Sequence, residues 1–115
     1  MIINRGGIYL AALDPVIGRE LSKTRPVVVV SNNKNNEFSG TVTILPIISK
    51  NIRKMYPFEV LLRKGAGGLP KDSKVKADQI RTLDKSRLVK FIGMLGMNHI
   101  TQIERAIQVH LSLLH

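Results

Sequence analysis

Between Asp14 and Pro26 the chain carries Glu20, Ser22, Lys23, Thr24 and Arg25. The sequence has no Cys, and its three His residues (His99, His110 and His115) all lie near the C-terminus. Thiolate catalysis and Cys-based zinc sites are therefore excluded, and a Ser-His-Asp triad or a His-based metal site is disfavoured. Any reaction must run on Arg, Lys, Glu, Asp, Ser or Thr. Such a set suits a phosphodiester of RNA, which brings its own nucleophile in the 2′-hydroxyl. An Arg fork can neutralise the extra charge on the phosphorane. A carboxylate can accept the 2′ proton, and a hydroxyl can hold the phosphate in line. Arg25 directly precedes Pro26 and the apolar run Val27–Val30, so the core behind it would hold it at the mouth of a strand. Glu20 lies on the same loop. The competing reading is structural: Arg25 closes one end of a barrel by pairing with Glu20.

The elements that must position these residues are mostly strands. Ile8–Leu13, Val27–Val30, Thr41–Ile48, Phe58–Leu62, Val75–Leu83 and Val89–Leu95 read as about six strands, separated by turn residues. Short, closely spaced strands predict a mainly β protein, a small barrel or sandwich. Residues 31–36 read as a polar turn, and Asp84 is placed to cap a short turn over Lys85–Arg87. The stretch Gly65-Ala66-Gly67-Gly68 invites a phosphate-cradle reading, which fails because no Lys-Ser/Thr or helix start follows it. Ile100, Ile103, Ile107, Leu111 and Leu114 recur at helical spacing and predict one C-terminal amphipathic helix packed on the barrel.

The chain has 115 residues, and its 18 basic and 8 acidic residues leave a net charge of +10. That length suits a single domain spanning residues 1–115. Twelve of the basic residues fall between Lys50 and Lys90, against four acids. A charge so concentrated among apolar residues reads as one basic face for a polyanion. The alternative is a solvated surface whose lysines block edge pairing. No apolar stretch approaches the length of a membrane span, and no signal peptide is read at the start, so the expected location is the cytoplasm.

Several blocks in order resemble the MazF/PemK family of toxins, the ribosome-independent endoribonucleases called mRNA interferases. They include Arg5-Gly6-Gly7-Ile8-Tyr9, Asp14-Pro15 through Gly18 and Glu20, and Thr24-Arg25-Pro26-Val27-Val28-Val29. Leu45-Pro46-Ile47, Pro57-Phe58-Glu59-Val60 and the long block Asp78-Gln79-Ile80-Arg81-Thr82-Leu83-Asp84-Lys85-Ser86-Arg87-Leu88 follow. The likeness covers nearly the whole chain, and the Arg-Pro-Val-Val-Val and Asp-Gln-Ile-Arg blocks together are specific.

The resemblance implies an SH3-like barrel with a C-terminal helix, working as a homodimer. It implies cleavage of single-stranded RNA without a metal or other cofactor, and inhibition by a cognate acidic antitoxin. Residue by residue, the catalytic arginine falls on Arg25 and the loop glutamate on Glu20. Asp78, Gln79 and Arg81 are placed near RNA, and Lys76 matches a basic position just before them. Many relatives have a Thr where this chain has Ile48. Either Ser49 supplies the phosphate-positioning hydroxyl in its stead, or the site is weakened or lost. The general base is Glu20 or Asp78.

Lys50, Arg53 and Lys54, just beyond Ser49, are expected to grip backbone phosphates, with a solvated loop as the alternative. Among the few aromatic residues, Tyr9, Phe38, Tyr56 and Phe58 are candidates for base stacking, with Tyr9 and Phe58 placed in the core by strand pattern. A gyrase poison of the CcdB type and a non-catalytic RNA-binding module are the competing functions. The Glu20/Arg25 pair argues against the first, and Ile48 keeps the second open.

Overall fold

A computed structural model describes residues 1–21 and 23–113. Ser22 of the candidate loop, Leu114 of the helical stripe and His115 lie outside the described residues. Seven strands form one strongly bent antiparallel sheet: β1 (Gly7–Ala12), β2 (Thr24–Val29), β3 (Thr41–Ile48), β4 (Glu59–Leu62), β5 (Ser73–Lys76), β6 (Arg81–Asp84) and β7 (Leu88–Met94). Their order is β4-β5-β3-β2-β1-β7, with β6 also paired to β3. The path is open between β4 and β7, so the expected small barrel takes the form of a coiled sheet. Two helices complete the described chain, α1 (Asn33–Phe38) and α2 (Met97–His110). Among the described residues, no helix is long and apolar enough to cross a membrane.

Alternation along the strands sends side chains to two apolar clusters. Ile8, Val28, Leu45, Ile47, Val60 and Val75 face one, which Ile103 and Ala106 of α2 cover. Tyr9, Ala11, Val27, Val29, Val42 and Ile44 face the other. The run from Val27 is thus buried on both faces, as its unbroken β-branched character requires. On α2, Ile100, Ile103 and Ile107 turn to the sheet, but Leu111 only terminates the helix and stays exposed. The helix begins after Gly96, and Glu104, about two turns inside it, pairs with Arg5 at 2.8 Å.

Two local readings change. Residues 33–38 form a short helix rather than a turn, because the Asn32 side chain accepts the Asn35 N–H and caps it. The single run Val75–Leu83 divides into β5 and β6 around a 3-10 turn at Ala77–Gln79. β5 pairs with Ile47–Ile48 and β6 with Thr41–Ile44. The detour lies opposite Leu45 and Pro46, and Pro46 has no N–H to continue a ladder. Asp84 caps the turn at Lys85–Arg87, accepting the Ser86 N–H.

The turn Ala66–Gly68 packs backbone to backbone on β7. A Cβ on Gly93 would lie 2.4 Å from the Gly67 carbonyl oxygen, and one on Gly67, at φ +57°, would lie 2.4 Å from Ile8. Gly93→Ala is therefore expected to destabilise the fold by about 2 kcal/mol, the cost of overpacking a close backbone contact. Urea denaturation would read this as a lower midpoint at unchanged slope.

Candidate active site

The groove at the end of β2 begins with register. Val27 pairs with Pro46, and carrying that register on sets Arg25 abreast of Ile48, which itself pairs with Lys74 of β5. Arg25, Ile48 and Lys74 thus form one row across three strands. Strand alternation gives them a common face, the one away from the cluster under α2. Arg25 is half-buried and lines a groove of about 320 Å³. Opposite and beside it are Ile48, Ser49, Lys23, Lys71 and Ser73. Arg25 and Ser49 are therefore brought together. Ile48 occupies the in-register place facing Arg25. Ser49 reaches the same groove because the strand ends at Ile48.

Lys71 carries no distinguishing signal in the sequence. Its backbone is fixed by the Ser73 hydroxyl, which donates to the Lys71 carbonyl at 2.9 Å. The neighbouring Asp72 is fixed by the Lys64 N–H at 2.8 Å. Nothing in its spacing separates Lys71 from other exposed lysines; the fold alone brings it to the groove.

Glu20 lies on the β1–β2 loop. Its carboxylate accepts the Ile17 N–H at 2.8 Å, and among the described residues it is not part of the groove wall. The loop's base is gripped by two guanidinium groups. Arg81 donates to the Leu13 carbonyl at 3.3 Å, and Arg87 donates to the carbonyls of Ala12 and Asp14. Asp14 accepts the Lys23 N–H at 3.1 Å, and Gln79 meets the Leu21 N–H at 3.5 Å. Arg81 and Gln79, expected beside RNA, thus stand under the loop and order it. The tip is outward: Ile17 is 83% exposed and Gly18 takes a φ of +58°.

The β3–β4 loop presents Lys50, Arg53 and Lys54 to solvent. Below it lies a charge cluster not anticipated from the sequence. Glu59 has no side-chain exposure and accepts from Lys74 at 3.0 Å and Lys76 at 2.8 Å. Lys76 also approaches Asp78 at 3.7 Å. Lys76 is therefore held by carboxylates within the fold, whereas among the described residues the three loop cations are not. The one Asp78 oxygen facing Lys76 is buried with no hydrogen-bond partner. The Lys-x-Lys spacing at 74 and 76 places both on one face of a strand. That signal would have suggested a shared acidic partner.

Tyr9 is buried and Phe58 packs against the core, as strand pattern requires. Tyr56 is 43% exposed and stacks parallel on Phe58 at 5.3 Å, with the Lys54 ammonium over its ring at 5.5 Å from the centroid. Phe38 is exposed at the end of α1 and is not among the residues lining the groove. Among the described residues, no group of three or more His, Asp and Glu is placed to hold a metal ion.

The family model for PemK-like, MazF-like toxins of type II toxin–antitoxin systems matches residues 4–111. The chain is 39% identical to Endoribonuclease MazF9 of Mycobacterium tuberculosis over 117 residues, covering 97% of this chain and 98% of that protein. Its fold is similar to that of MazF from Deinococcus radiodurans, with a TM-score of 0.84, 26% identity, and coverage of 97% and 98% of the two chains. It is also similar to a mycobacterial endoribonuclease solved in complex with its cognate antitoxin, with a TM-score of 0.80, 25% identity and 97% coverage of each chain.

Burial alone would raise the Glu59 carboxyl. Hydrogen bonds from Lys76, the Tyr56 N–H and Lys74 outweigh it and hold the group below its ordinary value of 4.5. A carboxyl lowered in the folded state contributes stability above its unfolded value and loses it as pH falls through the folded one. The denaturation midpoint is accordingly expected to fall as pH drops below 4.5. Glu59→Gln is expected to start lower and lose less over that window, and urea titrations at stepped pH would check both.

Proposed function

The chain belongs to the PemK-like, MazF-like toxin family of type II toxin–antitoxin systems, and on that premise we propose that it is a metal-independent endoribonuclease acting on single-stranded RNA. The observation that carries the proposal is the groove at the ends of β2 and β3, whose wall both Arg25 and Ser49 line. In this reading the whole chain is one toxin unit. It works in the cytoplasm as a homodimer, presenting the same basic groove twice. A cognate antitoxin with an acidic segment neutralises the same face.

The chemistry follows from the groove. The RNA phosphate next to the cut lies against Arg25, whose paired N–H groups stabilise the phosphorane as charge accumulates. The 2′-oxygen attacks phosphorus and loses its proton to a carboxylate. Glu20 is assigned that role over Asp78, since Glu20 is exposed whereas the Asp78 oxygen facing Lys76 is enclosed. The P–O5′ bond breaks, the 5′-oxygen takes a proton from water, and the products are a 2′,3′-cyclic phosphate and a 5′-hydroxyl. The β1–β2 loop must bring Glu20 to the groove when RNA is seated, releasing its bond to the Ile17 N–H. Ile48 offers no hydroxyl beside Arg25, so Ser49 supplies the one that holds the phosphate in line.

Purified protein and a long single-stranded RNA in EDTA test this directly. Cleavage with cyclic-phosphate ends is expected. Arg25→Ala is expected to lower the rate by about a hundredfold to a thousandfold, the worth of one transition-state donor set. Ser49→Ala is expected to lower kcat by about tenfold, the worth of one positioning hydrogen bond. RNA bound but uncut would point to a binding module, the reading that Ile48 keeps open. Unchanged cleavage by Arg25→Ala would overturn the assignment of the groove.

A further inference from the structure

The buried carboxylate of Glu59 has no part in the chemistry above, yet its bonds reach the loop that carries the exposed cations. Its Oε1 accepts the Tyr56 N–H at 3.0 Å and a Lys74 ammonium hydrogen at 3.0 Å. The same Lys74 ammonium donates to the Lys54 carbonyl at 2.8 Å. Glu59 Oε2 accepts from Lys76 at 2.8 Å, so both carboxylate oxygens are engaged. The loop is therefore tied at two backbone points, Lys54 and Tyr56, with Lys50 and Arg53 just before them. Its first residue, Ser49, is part of the groove wall. Lys74 is paired with Ile48, which stands abreast of Arg25. The tie thus starts one strand away from the groove.

Burying one carboxylate with two ammonium groups is a poor way to gain stability, since well-packed apolar side chains of similar size do as well or better. What the ion cluster does that apolar groups cannot is hold a carbonyl and an N–H of a polar loop at fixed places. We infer that Glu59 is a positioning residue for the RNA backbone, holding the Lys50–Lys54 loop pre-ordered as a phosphate grip beside the groove. The inference rests on the ribonuclease reading for its substrate. The geometry of the tie stands on its own. A pre-ordered loop spends no binding energy on ordering itself, so its removal falls on affinity and not on the chemical step.

The experiment compares wild type with Glu59→Gln and with Lys74→Met, which removes the donor to the Lys54 carbonyl but leaves Glu59 paired to Lys76. Glu37→Gln on α1 is the control. Three readouts are taken at a temperature where each variant is folded by circular dichroism. They are steady-state RNA cleavage, the salt dependence of binding to an uncuttable single-stranded DNA homologue of a cut RNA, and tryptic nicking of the native protein at Lys50, Arg53 and Lys54. Both test variants are expected to raise KM, by about tenfold for Glu59→Gln, with kcat nearly unchanged. The salt slope is expected to shrink by about 0.7 for each phosphate that the loop no longer grips. Nicking in the loop is expected to speed up, and the control to match wild type. A purely structural role would lower melting temperature and the active fraction, and hence apparent kcat, with KM, salt slope and loop nicking unmoved; that pattern overturns the inference. Wild type that binds the homologue but cuts no RNA would remove the ribonuclease reading and leave salt slope and nicking to decide for or against Glu59.

Discussion

β3 is the strand on which the rest of the molecule depends. It pairs with β2 on one side and with both β5 and β6 on the other, and its residues reach both apolar clusters. A slip of one residue in its register would exchange the two faces and bring polar side chains into the core, so the register is strongly fixed. The same register decides which side chain stands beside Arg25. That neighbour is Ile48, and it could not be Ser49 while the strand remains regular. The groove can use Ser49 only because pairing stops one residue earlier, where alternation no longer binds. Packing deep in the sheet and chemistry at its end are thus set by one alignment.

Two loops leave this frame at either side of the groove, and each is held by charge rather than by apolar packing. Under the β1–β2 loop, Arg81 and Arg87 supply N–H groups to carbonyls that a turning backbone leaves without ladder partners. Under the β3–β4 loop, Lys74 and Glu59 do the same for one carbonyl and one N–H. Polar loops have little apolar surface with which to fix themselves. A charged group rooted in a strand can hold them from below while leaving their outer faces to solvent.

The sequence made the strands and the C-terminal helix legible because their apolar periods are long and unbroken: β3 runs from Thr41 to Ile48 as its β-branched pattern requires. It also made the Arg25 position legible, since a charged residue before Pro26 and a doubly buried run has few places to go. The break at Ala77–Gln79 was not legible, because its cause lies partly in another strand, at Pro46. The short helix after Asn32 was hidden by a composition that suits turns equally well. Glu59, Lys74 and Lys71 were hidden for a shared reason. Each is an ordinary charged residue locally, and its place is decided by partners many residues away. For Lys76, Gln79 and Arg81, the sequence did not show the partners they take within the fold: Lys76 pairs with Glu59, Gln79 Oε1 accepts the Leu21 N–H, and one Arg81 nitrogen donates to the Leu13 carbonyl.

That engagement changes what the net charge of +10 means. Lys74 and Lys76 point inward to Glu59, and Arg81 and Arg87 are occupied with backbone carbonyls. Much of the basic stretch therefore builds the frame. Among the described residues, Lys23 and Lys71 stay exposed on the groove wall, and Lys50, Arg53 and Lys54 stay exposed on the loop that begins at Ser49. They come from three separate loops. On the proposed reading, a flexible RNA strand meets a set of charges whose spacing is fixed by the frame, so geometry as well as total charge selects the path of its backbone. An acidic inhibitor would meet the same constraint. It need not copy the RNA; it need only place carboxylates where the loops already hold their cations, and it would thereby close the groove to its substrate.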